Sequence, residues 1–589
     1  MNTLVTGVPG FIGSLIDQFQ FGLSSVIHPL CTHERCIQLI ELVLVLSVVV
    51  MIFRQRSGIG CSRLSVLGKY FGNMARRKTL SVVFVGLLSL SARIILIPVL
   101  GVPEPDAHDE FSYLLAADTF AHGRLTNPPH PMWEYFETFH VIQHPSYMSM
   151  YPPMEGLVLA FGEQLGNPWI GQLITTALMC SAVCWMLQAW LPAIWALFGG
   201  ILVVLRLGIF GYWMNGYWCA SVVALGGALV LGAWPRIKRH RYVRDSVLMG
   251  LGLVILANSR PYEGFVLALP VGIAMLLWIT GLRSNQLRIT LIRVVVPLVF
   301  LLAGCGVLMS YYNYRVNGSP LQTGYQLNRG TYSRAEYFLW QRPRPQRNYD
   351  HAVMQRFYDT EFQYYRENRT AWGLAKHSLT RIFWSWRFFL GAALTIPLLA
   401  IPRVLRDRKM RFPILVLAIL VLGLAVESFY SLHYFSPGFA LIYLILLQSM
   451  RHLRFWQWNG KPVGAELVRA IPLVCCAMVV LRVIAVAANA QIEPSYPRGN
   501  VQRAEIVRYL EHSPDEHLVL VRYANEHIAD KEWVYNPADI DGSKIVWARD
   551  MGDAGNQALL KYFKGRTVWL VQADDSPPKL SLYSDSAMF

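Results

Sequence analysis

The chain has 589 residues, of which 54% are hydrophobic and only 15% charged, against roughly 25% charged in soluble domains. With a mean hydropathy of +0.34, this excludes a large soluble enzyme and indicates a polytopic membrane protein. The net charge of +16 does not make it a nucleic-acid binder, because the basic residues stand in short clusters between apolar runs, as the positive-inside rule predicts.

In chain order, no cleavable signal peptide is evident: the first charged residue is Asp17, so a positive n-region is missing. Residues 1–73 read as an extension with one marginal span at 38–53, since a span takes about 20 residues. Met74 opens MARRKTLSVVFVGLLSLSARIILIPVLG, which reads like the start of a membrane protein. Residues 1–73 are therefore expected to be dispensable or an upstream start-site error. A membrane domain at 74–490 follows. Its spans are expected at 79–100, 169–188, 192–210, 216–234, 246–258, 262–281, 291–312, 380–402, 412–430, 437–450 and 467–488, about eleven plus the marginal first. The segment 156–166 is too short to span and is expected along the interface. A hydrophilic segment covers 313–378.

If every segment spans, the basic stretches 236–244 and 403–411, Arg283–Arg293 and Arg451–Lys461 share one face, the cytoplasmic one. The segments 102–153 and 313–378 and the C-terminal tail then share the other. Residues 491–589 read as a small α/β soluble domain. Strand-like runs stand at 517–523, 544–550 and 567–573, and helical stretches near 501–511 and 555–564. The stretch 532–551 is read as mainly structural. The fold class expected is mostly α: a polytopic helical bundle with a small C-terminal α/β domain. Of the nine cysteines, Cys180, Cys184, Cys219, Cys305, Cys475 and Cys476 lie inside apolar runs as packing residues. Cys31 and Cys36, in CTHERC, are open to pairing, to metal or to neither.

The chemistry concentrates in 102–153, a polar and aromatic loop directly after the first membrane-domain span. It has one Arg (Arg124), no Lys and seven acids. Asp109 and Glu110 stand side by side in it, flanked by His108 and Tyr113. Side chains of neighbouring residues diverge, so one carboxylate is free to act as a base while the other binds acceptor or structure. Adjacent acids in a loop are otherwise merely solvated. A base of this kind, acting where a phosphate leaves, would also need cations beside that phosphate. Arg260, in NSRPYEG, sits in a short turn between apolar runs with Tyr262 and Glu263. It reads either as a phosphate ligand or as half of a structural pair with Glu263. Arg315 and Arg329, among the tyrosines and amides of 311–332, are second candidates for phosphate, or members of an ordinary surface loop. His433 and Tyr434, before the last pair of spans, face the same cavity or anchor the interface.

The residues HDEFSYLLAADTFAHGRL (108–125) and YMSMYPPMEGLVLAFGEQLG (147–166), with Tyr151 leading the PP element, resemble the GT-C membrane glycosyltransferases. Within these the resemblance is to the protein O-mannosyltransferases, the lipid A aminoarabinose transferase and the RgtA/B/C/D-like enzymes. It covers 79–450 in architecture and these two stretches in motif. It implies an acidic base, Asp109 first and Glu110 second, and an inverting transfer. The sugar would leave a polyprenyl-phosphate donor for a glycan, lipid or protein acceptor at the outer face of a bacterial inner membrane. No cofactor is implied; a divalent ion stays open, because some members use one and others do not. His108, His122, His130, His140 and His144 all lie in the loop. The His140–His144 spacing suits a metal on a helix, but Pro145 disfavours a helix there, and no metal site is assigned. Two other readings compete: a polar-lipid or oligosaccharide transporter, and a non-catalytic envelope-assembly protein.

Overall fold

The computed structural model describes residues 31–54, 70–488 and 499–583. The side chains of Cys31 and Cys36, the stretches 1–30 and 55–69, and the tail beyond 583 lie outside them. Among the described residues, eight helical segments are long and apolar enough to cross a membrane: Ile37–Arg54 within α1 (Cys31–Arg54), α2 (Lys78–Ile95), α5 (Pro168–Trp190), α7 (Ala220–His240), α9 (Pro261–Thr280), α10 (Ser284–Asn317), Leu432–Leu453 ending in α15 (Phe439–Leu453), and α16 (Val463–Ala487). The protein is a multi-pass membrane protein.

Four expected spans differ. Those at 192–210, 246–258 and 412–430 are helices of 14 or 15 residues: α6 (Ala193–Arg206), α8 (Val243–Ala257) and α14 (Arg411–Ala425). At 1.5 Å per residue such helices reach about 22 Å, short of a roughly 30 Å hydrocarbon layer. The apolar runs continue beyond each helix into turns, which hydropathy does not distinguish. The span at 380–402 is broken: α13 (Ala371–Phe389) ends in turns, and a short 3-10 helix resumes at Ile396–Ala400.

The break is held by an ion pair. Arg206, at the end of α6, donates from Nε to the Phe388 carbonyl at 3.0 Å and from Nη2 to that of Arg387. Its Nη1 lies 4.0 Å from Oε2 of Glu41 on α1, and Oε1 of Glu41 accepts the Ala393 amide at 3.2 Å. Backbone that leaves a helix at membrane depth survives only when its polar groups are met by protein, and this pair meets them. Ile37, Val45, Ile52 and Glu41 of α1 are buried. The helix expected in a dispensable extension is thus part of the bundle, because it brings the carboxylate that the turn requires.

The segment 102–153 is not an irregular loop. It holds α3 (His108–Ala121) and a hairpin of β1 (Val141–Ile142) and β2 (Met148–Ser149), with Val141 opposite Ser149. Helix α4 (Pro153–Gln164) follows. The 313–378 segment carries α11 (Gly324–Tyr332) and α12 (Ala352–Asn368).

The C-terminal domain has α17 (Val501–Glu511), β3 (His517–Arg522), β4 (Ile545–Arg549), α18 (Gly552–Tyr562), β5 (Thr567–Gln572) and β6 (Lys579–Leu582). The sheet order is β4-β3-β5-β6, with β4 and β5 parallel to β3 and β6 antiparallel to β5. The run HLVLV is buried throughout, as expected of a central parallel strand. Strand β6 went unread because KLSL is short and polar. One sheet face packs on α17; the other shares a core with 102–153, in which Leu115, Tyr135 and Phe136 meet Leu518, Val546 and Phe563.

Gly391 has φ +63, and a Cβ there would meet Arg206 Nη2 at 2.8 Å and Glu41 Oε1 at 2.9 Å. Gly391→Ala is expected to lower stability by about 1–3 kcal/mol. Gly304→Ala, at an exposed helical site with nothing near its Cβ, should be neutral or stabilising. Unfolding midpoints of the purified variants check the contrast.

Candidate active site

Helix α3 begins at the exit of the first membrane-domain span, so its first turn places Asp109 and Glu110 on diverging faces. Glu110 turns inward. Its Oε2 accepts the amides of Asp106 at 3.1 Å and Ala107 at 3.3 Å, and its Oε1 that of Tyr217 at 2.9 Å. Glu110 lies outside the cavity described below and closes the helix start as a capping carboxylate. The structure thus puts Glu110, expected as a second base, away from the cavity, with backbone amides on both of its oxygens. Burial still pushes its carboxyl up to about 7, over the pull of those amides.

Asp109 faces a cavity of about 1770 Å³. Its Oδ1 accepts from the Tyr151 hydroxyl and lies 3.0 Å from His140 Nδ1; its Oδ2 lies 3.3 Å from His108 Nδ1. Burial alone would raise the Asp109 carboxyl, but the imidazoles of His140 and His108 outweigh it and hold it well below the ordinary range. Asp109 is therefore an oriented carboxylate. Burial likewise works against a charge on His108, yet Asp109 and Asp530 raise it to about 10. The hairpin sets this geometry. His140 stands just before β1 with φ 58, a left-handed conformation costly for a side chain with a Cβ. The Ser112 hydroxyl holds its carbonyl at 2.7 Å, and the Met150 amide donates to the same oxygen at 3.1 Å. Tyr113, outside the cavity, stacks beneath Tyr151 at 4.4 Å. The sequence weighed His140 only as a metal ligand on a helix; a hairpin, closed by polar cross-links, is what aims it at Asp109.

The polar wall continues with Arg260, Tyr262, Glu263, Arg329, His433 and Tyr434. Arg260 caps the start of α9. Its Nη1 is 3.3 Å from Glu263 Oε1, its guanidinium lies 4.1 Å from the centroid of the Tyr434 ring, and its Nε is buried without a hydrogen-bond partner. The structural pair with Glu263 is thus present, and donor capacity is left over. Arg329 is more fully used: it pairs with Glu361 at 2.9 Å and donates to Ser333 Oγ and the Ala335 carbonyl. Arg315 is corrected: it is exposed on the last turn of α10, bonded to the Tyr311 hydroxyl at 3.1 Å, and outside the cavity. Its position follows from helical phase, since Tyr312 and Val316 take the inward face. His433 meets Ser431 Oγ at 2.9 Å, and Tyr262 donates to the Gly423 carbonyl at 3.0 Å. One stretch of the wall is apolar, with Leu39, Leu42 and Val45 of α1 beside Ile396 and Leu399.

Among the described residues, two groups have ligand atoms close enough to hold a cation: His108, Asp109 and His140 in the site, and Asp118, His122 and Glu163 at the surface between α3 and α4. His144 is exposed at the hairpin turn against Trp133 and belongs to neither.

Residues missed by sequence reasoning come from far along the chain. Glu526, His527 and Asp530, on the connection between β3 and β4, line the cavity. Next to them Glu532 is buried against Arg549 at 2.9 Å and accepts the Thr138 hydroxyl at 2.6 Å. No local pattern marks any of them.

No family model matches the chain, and no curated protein matches it. Among solved structures it is similar to ArnT from Cupriavidus metallidurans in the apo state, at 12% identity and a TM-score of 0.48, over 83% of this chain and 93% of that one. The same protein bound to undecaprenyl phosphate gives 12% identity and 0.47, over 84% and 93%. The archaeal oligosaccharyltransferase AglB from Archaeoglobus fulgidus, in complex with an inhibitory peptide and a dolichol-phosphate, gives 12% identity and 0.46, over 85% and 70%.

Burial pushes the Glu532 carboxyl up, but Arg549, Thr138 and Tyr523 outweigh it and hold it near 2, below the ordinary 4.5. A depressed carboxyl contributes stability that is present above its unfolded value and lost as pH falls through the folded one. Glu532→Gln should therefore abolish roughly 3 kcal/mol of acid-sensitive stability. The wild type is expected to lose that increment between pH 4.5 and 2. Acid titration of the intrinsic fluorescence of both proteins checks it.

Proposed function

We propose that the protein is an integral-membrane glycosyltransferase that moves a sugar from a polyprenyl-phosphate donor to a glycan, lipid or protein acceptor. The observation that carries this reading is one cavity whose wall joins an oriented carboxylate, a buried guanidinium with spare donor capacity, and an apolar surface of membrane helices. An amphiphile with an anionic link between sugar and lipid matches all three.

Asp109 takes the proton of the acceptor hydroxyl or amine as that atom attacks the anomeric carbon. The carboxylate does not itself bond to carbon, so the configuration inverts. The bond to the donor phosphate breaks as the new one forms, and Arg260 receives the charge that develops on the phosphate oxygens. Tyr151 and His140 fix the carboxylate so that its free lone pairs face the acceptor. Tyr262, His433 and Tyr434 line the sugar's place. The group His108, Asp109 and His140 is also able to hold a divalent ion, which would neutralise phosphate charge when bound. The reading places the catalytic segment and the C-terminal domain on the extracytoplasmic side of a bacterial inner membrane, with the basic clusters inside.

The test is release of polyprenyl phosphate from a panel of lipid-linked sugars, by protein in nanodiscs supplied with envelope lipid, glycan and peptide acceptors. Asp109→Asn is expected to lower kcat about 10²–10⁴-fold. Arg260→Ala should lower kcat/KM by about 10²-fold, while Arg315→Ala leaves it unchanged. Full activity in Asp109→Asn overturns the assignment of the base, and transport of intact donor without release favours the transporter.

A further inference from the structure

Another carboxylate on the cavity wall has its backbone held far more firmly than its side chain. Glu427 follows α14 and lines the same wall as Arg260, Tyr262 and Glu263. The turn that carries it is strapped from two sides. The Leu339 amide donates to the Val426 carbonyl at 3.1 Å and the Ser428 amide to the Tyr337 carbonyl at 2.8 Å, and Phe338 and Glu427 form an isolated antiparallel bridge. Arg381 of α13 donates to the carbonyls of Leu424 at 3.1 Å and of Glu427 and Ser428 at 3.2 Å. Asn368 of α12 donates to the Ser428 carbonyl at 2.9 Å. The side chain has no such support. Glu427 is 7% exposed, and its Oε1 is buried without a hydrogen-bond partner among the described residues.

Burying a polar group without a partner costs free energy. The structural carboxylates of this protein avoid that cost: Glu532 and Glu361 each meet a guanidinium at 2.9 Å. Beside Glu427, Arg381 turns its donors to backbone and Arg260 gives its Nη1 to Glu263. Burial first, and then the Glu263 charge, push the Glu427 carboxyl well above the ordinary range, over the pull of Arg260 and Arg381. The surroundings point to the missing partner. Tyr262 and Tyr434 lie within the field of the Glu427 charge. The Tyr262 hydroxyl is spent on the Gly423 carbonyl, and its ring packs on Phe338 at 4.7 Å. Aromatic rings beside an acceptor that lacks a donor suit a sugar, whose apolar face lies on a ring while its hydroxyls donate.

We propose that Glu427 recognises the donor sugar by accepting hydrogen bonds from its hydroxyls, and thereby sets which lipid-linked sugar the cavity takes. The proposal rests on the glycosyl-transfer reading above for the kind of donor. It deepens that reading by naming the part of the donor that is chosen: a neutral sugar whose hydroxyls reach Glu427 while its phosphate meets Arg260. A site built to meet a hydroxyl rejects an analogue without one, because the site's own acceptor is then left unpaired. Glu427 is thus a specificity-determining residue and takes no proton in the transfer.

The experiment uses the full-length protein in nanodiscs. Binding is read from the fluorescence of Trp218, Trp384 and Trp386, which line the cavity. The ligands are bare polyprenyl phosphate, a panel of polyprenyl-phosphate sugars, and deoxy analogues of the sugar preferred; release of polyprenyl phosphate is followed on the same panel. The wild type is expected to bind the preferred donor more tightly than the bare lipid, and to lose about 10–100-fold on the deoxy analogue that lacks the recognised hydroxyl. Glu427→Ala should lose the same factor on the preferred donor, ignore the deletion of that hydroxyl, and bind the bare lipid within about twofold of wild type. Glu427→Gln keeps an acceptor oxygen and should keep part of the preference. Glu336→Gln is the control: it breaks a pair with Arg344 at 2.6 Å beside the strap but outside the cavity, and should keep all of it. A preference that survives in Glu427→Ala, or an equal loss for the bare lipid, overturns the proposal. Without ligand, the unfolding midpoint of Glu427→Gln should equal or exceed that of wild type, since no partner is lost; a lowered midpoint marks a structural carboxylate and overturns the proposal. If Glu427→Ala does not fold, Glu427→Gln carries the binding comparison. A preference that depends on Glu427 without any release of polyprenyl phosphate sinks the transfer reading and keeps the sugar subsite. Release with a preference indifferent to Glu427 does the reverse. A wild type that binds no lipid-linked sugar more tightly than the bare lipid overturns the subsite.

Discussion

The docking of the C-terminal domain on the 102–153 segment hangs on one buried carboxylate, Glu532. It joins Arg549 of β4, the Thr138 hydroxyl and the Tyr523 hydroxyl in a site with almost no solvent. Arg549 in turn donates to the Glu137 carbonyl at 2.6 Å. A charge so deeply buried is tolerable only when its partners are all in place. Removing any of them leaves an ion in a low-dielectric interior, so the network closes completely or not at all. Its members come from the β-sheet, its long connection and the 102–153 segment. Closing it therefore docks the domain on the segment in a single way. The apolar core shared by Leu115, Phe136, Leu518 and Val546 supplies the area, and the ionic network supplies the register.

A second buried pair plays a matching part inside the bundle. Glu41 and Arg206 allow the chain to leave a helix between α13 and the 3-10 turn at Ile396. Where that turn interrupts the bundle, α1 and Ile396–Leu399 form the apolar wall of the cavity. Both ionic devices do the same physical work: they stabilise irregular backbone where no water reaches it. One shapes the apolar wall of the cavity, and the other fixes the 102–153 segment at its polar end. The C-terminal domain is consequently less a separate module than the far wall of the site.

The sequence by itself determined what depends on local composition and period. Apolar length marked about twelve candidate spans, eight of which are membrane-length helices among the described residues, and HLVLV with its two companions marked three strands of the C-terminal domain, whose parallel order the structure supplies. The acidic, aromatic character of 102–153 drew attention to the Asp109–Glu110 pair, and a short turn between apolar runs drew attention to Arg260. These signals are local because burying a stretch of chain requires many apolar residues close together in sequence.

Only the tertiary structure decided which of two adjacent acids faces the cavity, and helical phase answers that: a 100° turn separates Asp109 from Glu110. It also decided that Arg315 points outward, that the 380–402 run is broken, and that His140 is a partner of Asp109. Asp530, Glu532 and Glu41 reach their positions from hundreds of residues away. A carboxylate that acts through one distant contact leaves no periodicity and no composition shift behind. Its role exists only once folding has brought its partner within about 3 Å, and for that reason no reading of the chain alone could find it.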